Sequence, residues 1–113
     1  MFKLCYISQP VREFSFKELD SMLVLFRKNN HNQGITGLLL YRAQSFCQIL
    51  EGEEAKVTEL FRTIQTDNRH QNVVLVSQGR IGSPAFYGWS MKFTVLEGSQ
   101  IFSPTNLPPI IDL

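Results

Sequence analysis

Two hydrophobic rhythms alternate along this 113-residue chain, and their order limits its fold more than any other feature. Residues 2–8 place Phe2, Leu4, Tyr6 and Ser8 on one side and Lys3, Cys5 and Ile7 on the other, the period of two that belongs to a strand. Ser15 and Glu18 form an S-x-x-E capping box, with Phe14 and Leu19 placed to staple it. Phe16, Leu19, Leu23 and Phe26 then recur at helical spacing, which predicts a helix to about Lys28. The polar run from Asn29 to Gly34 stops it. Ile35 to Tyr41 is apolar on both parities apart from Thr36 and Gly37, as in a strand covered on both faces. Arg42 to Ser45 has hairpin length, and Phe46 to Glu51 alternates again. Glu53 and Glu54 suit a helix N-terminus, and Val57, Leu60, Phe61 and Ile64 give the second amphipathic helix. After the polar loop Asp67 to His70, Val73 to Ser77 reads as a fourth strand. Gly79, Gly82, Ser83 and Pro84 mark a connection, and Trp89, Met91 and Phe93 alternate in a fifth strand.

The order β-α-β-β-α-β-β predicts an α+β, ferredoxin-like domain: a mixed five-stranded sheet with both helices on one face. Strands 1 and 3 are expected as central parallel neighbours. Tyr6 and Gln48 would then meet beneath the groove between the helices. Residues 1–96 form the expected domain. The tail 97–113, with Pro104, Pro108 and Pro109, has no helical period; it either packs down through Ile101, Phe102 and Ile110 or begins a linker. A net charge of +1 excludes a dominant electrostatic footprint for nucleic acid or anionic lipid. No apolar run is long enough to span a bilayer and no secretion signal is evident, so a reducing cytoplasm with free Cys5 and Cys47 is expected. Neither the cysteines nor His31 and His70 have metal-ligand spacing.

One polar residue needs a buried partner. Gln48 lies between Phe46 and Leu50 on a face that should be buried, where an unpaired amide costs roughly 1–3 kcal/mol. Alone it fits a structural Gln bonded to backbone or to the Tyr6 hydroxyl. Alone, too, Tyr6, Trp89 and Met91 fit core residues, Asn29 and Asn30 a helix end, and Arg69 and His70 a solvated loop.

Together these residues resemble the BLUF family of flavin-binding blue-light sensors. The resemblance is carried by Leu4-Cys5-Tyr6-Ile7-Ser8, Asn29-Asn30, Gly34-Ile35-Thr36-Gly37-Leu38-Leu39-Leu40-Tyr41 and Phe46-Cys47-Gln48-Ile49-Leu50-Glu51-Gly52. Asp67-Asn68-Arg69-His70 and Trp89-Ser90-Met91 complete it. It implies a flavin held between the two helices, FAD or else FMN or riboflavin. It implies that Tyr6 donates an electron and a proton and that Gln48 bridges Tyr6 and the flavin. Asn30, helped by Asn29, would bind the polar edge of the ring, with Phe46 beside it. Asp67, Arg69 and His70 would meet the ring edge, ribityl chain or phosphate. Ser8, Trp89 and Met91 would complete the photoactive set, the last two on the strand that reads the switch. Three positions depart from the family pattern. Gln44 stands where Gly is common, Thr63 stands where a basic residue is common, and the tail does not look like a helical cap.

The expected function is therefore photoreception without catalysis, signalling to a downstream effector or through a homo-oligomer, because 113 residues leave no room for an effector domain, unless the sequence is a fragment of a longer protein that carries one. The competing readings are a small enzyme on the same fold and a cofactor-free interaction module. The enzyme would be a flavin reductase or an acylphosphatase-like hydrolase using Gln9-Pro10-Val11-Arg12.

Overall fold

A computed structural model describes residues 1–108. Five strands and two helices follow in the predicted order: β1 (Phe2–Pro10), α1 (Phe16–Gln33), β2 (Thr36–Arg42), β3 (Ser45–Gly52), α2 (Glu54–Gln65), β4 (His70–Arg80) and β5 (Lys92–Val95). They form one sheet of order β4-β1-β3-β2-β5. The sheet is mixed, since β2 and β5 run parallel while the other pairs are antiparallel.

The expectation that β1 and β3 are parallel is wrong: they pair antiparallel, with Tyr6 directly opposite Gln48. The reason is topological. The crossover through α1 leaves β2 parallel to β1, and the hairpin then reverses the chain, so β3 must oppose both. Adjacency of β1 and β3 survives this correction, and adjacency is what brings Tyr6 to Gln48.

The strand parities sort into two cores. Phe2, Leu4, Tyr6, Leu39, Phe46 and Leu50 meet Leu19 and Leu23 of α1 and Val57 and Phe61 of α2. Cys5, Ile7, Leu38, Leu40, Cys47 and Ile49 face the other way, where Phe102 covers them. Both helices thus lie on one face, and the tail as far as it is described packs on the opposite one through Phe102 and Leu107. Phe102 donates its N–H to Ser45 Oγ at 2.9 Å, and the Arg42 guanidinium lies over its ring at 4.5 Å. Ile101 stays largely exposed, and Ile110 lies outside the described residues.

Several element ends differ from expectation. The capping box of Ser15 and Glu18 is formed, and Arg12 with the Ser15 backbone holds the Glu18 carboxyl down to about 2. Phe16, counted with the apolar stripe, is exposed at the first turn. Helix α1 continues past Lys28 to Gln33, so Asn29 and Asn30 belong to its last turns. Gly34 closes it in the left-handed region at φ 68° and donates to the Asn30 and His31 carbonyls. Strand β4 is longer than Val73 to Ser77 because its pairing with β1 runs from His70 to Arg80, so Gly79, read as part of the connection, lies within the strand opposite Lys3. It bends at Asn72 (φ 55°), where the register shifts. Strand β5 starts only at Lys92, so Trp89 and Met91 precede it.

The backbone is tightly constrained at the hairpin and at Gly37. The β2–β3 hairpin turns on Ala43 and Gln44, both at positive φ (49° and 59°), the type I′ geometry that ordinarily selects Asn-Gly. Gly37 lies so close to β3 that a Cβ there would fall 2.0 Å from the Ile49 carbonyl oxygen and 3.3 Å from Met91 Cε.

Candidate functional site

The cleft between α1 and α2 is not filled by the protein's own core. It offers about 980 Å³ of space, open mouth included. Its floor is sheet: Tyr6 and Ser8 of β1, Leu39 of β2, and Phe46 and Gln48 of β3. Helix α1 supplies one wall through Leu23, Phe26, Asn29 and Asn30; α2 supplies the other through Leu60, Thr63 and Ile64. Asp67, Arg69 and His70 stand at the connection from α2 to β4. Every residue named from sequence as cofactor-binding lies in this one cleft.

Tyr6 and Gln48 share its floor because they are cross-strand partners on the helix-facing parity. The Tyr6 hydroxyl donates to Gln48 Oε1, and Gln48 Nε2 donates to Met91 Sδ at 3.4 Å. Both residues are buried, at 4% and 6% exposure, so the amide that sequence alone left unexplained is satisfied at both ends. Burial pushes the Tyr6 phenol far above its ordinary range, since a phenolate there would lose its hydration. Its ring packs 5.4 Å from Phe61, and His70 meets it edge-on at 6.4 Å.

His70 is fixed from both sides. Nε2 lies 2.6 Å from the Ile64 carbonyl, which can only accept, so Nε2 carries the proton. In the neutral ring Nδ1 is then an acceptor, 3.0 Å from the buried Ser8 hydroxyl. Asn30 is buried and donates from Nδ2 to the Ser90 carbonyl at 2.8 Å, while Asn29 is exposed at the rim. Asp67 receives Arg69 through a short ion pair that holds its carboxyl below the usual range, and the Arg69 guanidinium lies 5.5 Å over the Phe26 ring. Of the departures noted above, Thr63 lines the cleft, whereas the neighbouring Arg62 pairs with Glu59 on the exposed side of α2.

Trp89 does not join this group. It is 52% exposed, stands before β5, and lies 5.4 Å from the Lys92 ammonium. Met91 is fully buried and reaches the site by its sulfur alone. Alternation had grouped the two, but with no strand at this point their side chains are free to diverge. Cys5 and Cys47, on the opposite face, have sulfurs 3.8 Å apart; their mutual hydrogen bond and burial hold Cys47 well above the ordinary thiol range. Arg12 is bound to Glu18 outside the cleft. Among the described residues, no three His, Cys, Asp or Glu side chains cluster as a metal would need.

The cleft's size, its largely apolar lining and the amides of Gln48, Asn29 and Asn30 fit a flat heterocycle with a polar edge. The sequence profile of the BLUF family, sensors of blue-light using FAD, matches residues 1–92. The chain belongs to the BLUF family. It is 32% identical over 113 residues to the photoactivated adenylate cyclase subunit alpha of Euglena gracilis, covering all of this chain and 11% of that one. It is 36% identical over 71 residues to the blue light- and temperature-regulated antirepressor BluF of Escherichia coli K12, covering 63% of this chain and 18% of that one. The BLUF protein BlrB in its dark state superposes with a TM-score of 0.78 at 32% identity, covering 83% of this chain and 71% of that one. BlsA in its photo-activated state superposes at 0.80 and 37% identity, covering 84% and 69%. As a BLUF domain the chain is a flavin-binding blue-light sensor with the ferredoxin-like fold, and FAD is the family's cofactor. Among the described residues no helix is long and apolar enough to cross a membrane.

Proposed function

We propose that Tyr6 and Gln48 are the photoactive pair of this BLUF domain. The observation that carries this reading is the buried Tyr6–Gln48 hydrogen bond on the floor of an open inter-helix cleft. Asn30, with Asn29 at the rim, holds the polar edge of the flavin ring, and Phe46 packs beside it. Asp67, Arg69 and His70 serve its ring edge and ribityl-phosphate end. A bound flavin supplies absorption of blue light and an excited state that accepts an electron.

The remaining steps belong to side chains of this chain. Tyr6 is the oxidisable group at the floor. Its hydroxyl proton already lies on a bond to Gln48 Oε1, so loss of an electron from the phenol moves that proton along the same bond. The Gln48 carboxamide has a donor end and an acceptor end of nearly equal shape. Exchanging the two re-aims its hydrogen bonds with little steric change and disturbs the bond to Met91 Sδ. Ser8, through His70, keeps the Tyr6 neighbourhood rigid. Met91 passes the change to the 89–91 segment, and Trp89 presents it at the surface. The output goes to a downstream effector or to another copy of the chain in a homo-oligomer, in the cytoplasm. The domain itself turns over no substrate, and Arg12, the cation of the hydrolase alternative, lies outside the cleft beside Glu18.

Flash spectroscopy on variants tests the assignment. Tyr6→Phe and Gln48→Leu are expected to keep the yellow colour and to lose the reversible red shift after a blue flash. A normal shift in either variant would overturn the role given to that residue.

A further inference from the structure

Residues 85–91 form neither helix nor strand, yet they place the Met91 sulfur against the Gln48 amide. A thioether is a weak acceptor, so that contact cannot by itself hold the segment. Five other hydrogen bonds do. At one end the Gly37 N–H donates to the Trp89 carbonyl at 3.1 Å, Asn30 Nδ2 to that of Ser90 at 2.8 Å, and Arg27 Nε to that of Met91 at 2.9 Å. At the other end the Glu51 carboxylate accepts from the Ala85 N–H at 2.7 Å and the Phe86 N–H at 3.1 Å.

Glu51 is only 1% exposed. Burying a carboxylate is costly unless donors surround it. Its donors are those two amides and the Thr36 hydroxyl at 3.0 Å. It sits on β3 three residues from Gln48 and on the opposite face, and neither Glu51 nor Arg27 lines the cleft. Two charged side chains outside the cleft thus grip both ends of the segment that carries Met91.

We infer that Glu51 and Arg27 are positioning residues that clamp residues 85–91, and that the clamp sets how long the light-induced arrangement of Gln48 persists. The inference rests on the sensor reading above. The dark arrangement includes the Gln48–Met91 contact. Loosening the clamp lets the sulfur wander, weakens that arrangement and delays the return to it.

The test uses the full chain loaded with FAD. Dark recovery after a blue flash is timed, and hydrogen exchange of residues 85–91 is measured in the dark. Glu51→Gln places a donor against an amide N–H. Recovery is expected to slow about fivefold and exchange in the segment to speed up about fivefold, the equivalent of one hydrogen bond of about 1 kcal/mol. Arg27→Ala, at an exposed position of α1, is expected to act in the same direction, with Arg27→Lys returning recovery to within about twofold of wild type. Thr36→Val removes only the hydroxyl bond and is expected to lower thermal stability without either change. Wild-type recovery in both Glu51→Gln and Arg27→Ala would overturn the inference, even with faster exchange, because the clamp would then be structural only. If Glu51→Gln does not fold, Arg27→Ala decides alone. A wild type that binds flavin but shows no flash response sinks the sensor reading instead, and the exchange data still decide whether the clamp exists.

Discussion

Tyr6 and Gln48 were legible as a pair because both sit on the parity of core residues in adjacent strands, and a buried Gln demands a partner. What the residues could not reveal was Met91 as the second partner, since its approach depends on the close packing of β2 against β3 at Gly37. The burial that raises the Tyr6 phenol also gives a pH signature. The unfolded chain ionises this phenol at pH about 10 while the folded chain keeps it neutral. Its stabilising contribution is therefore complete below that pH and lost as pH rises above it. Alkaline denaturation followed by circular dichroism is expected to fall off less steeply in Tyr6→Phe than in wild type. Gln44 offers an independent check. An L-residue in the left-handed region costs roughly 1 kcal/mol over Gly, so Gln44→Gly is expected to raise the unfolding free energy by about that amount in denaturant titration.

Helix α1 shows how far local signals reach. Its start was readable to the residue, because the capping box is a local bond pattern; Ser15→Ala is expected to cost about 1 kcal/mol in urea unfolding. Its end was misjudged, because the apolar stripe runs out before the helix does. The last turns are polar, and they are kept helical by Gly34 and by Asn30 reaching across to the Ser90 carbonyl. The same tertiary control explains Trp89 and Met91. Alternation suggested one strand, but the backbone there is held by bonds from α1 and β2, and the two side chains part company. The relative direction of β1 and β3 is set by counting one crossover and one hairpin, not by any residue. Gly37→Ala is expected to force β2 and β3 apart, costing about 2 kcal/mol or more in thermal or chemical unfolding.

The sheet separates two jobs. One face holds the cleft, and the other is sealed by the tail through Phe102. Phe102→Ala is expected to cost about 3 kcal/mol in unfolding while leaving FAD affinity unchanged, because the two cores do not touch across the sheet except through the strands. The central claim, that the buried Tyr6–Gln48 pair faces a flavin and responds to its excitation, is tested most directly on the unmodified protein. Its absorption spectrum is recorded in the dark and again after a blue flash. The expected result is a yellow protein whose visible bands move to longer wavelength and drift back in darkness. A colourless protein, or a yellow one whose spectrum ignores the flash, would contradict it.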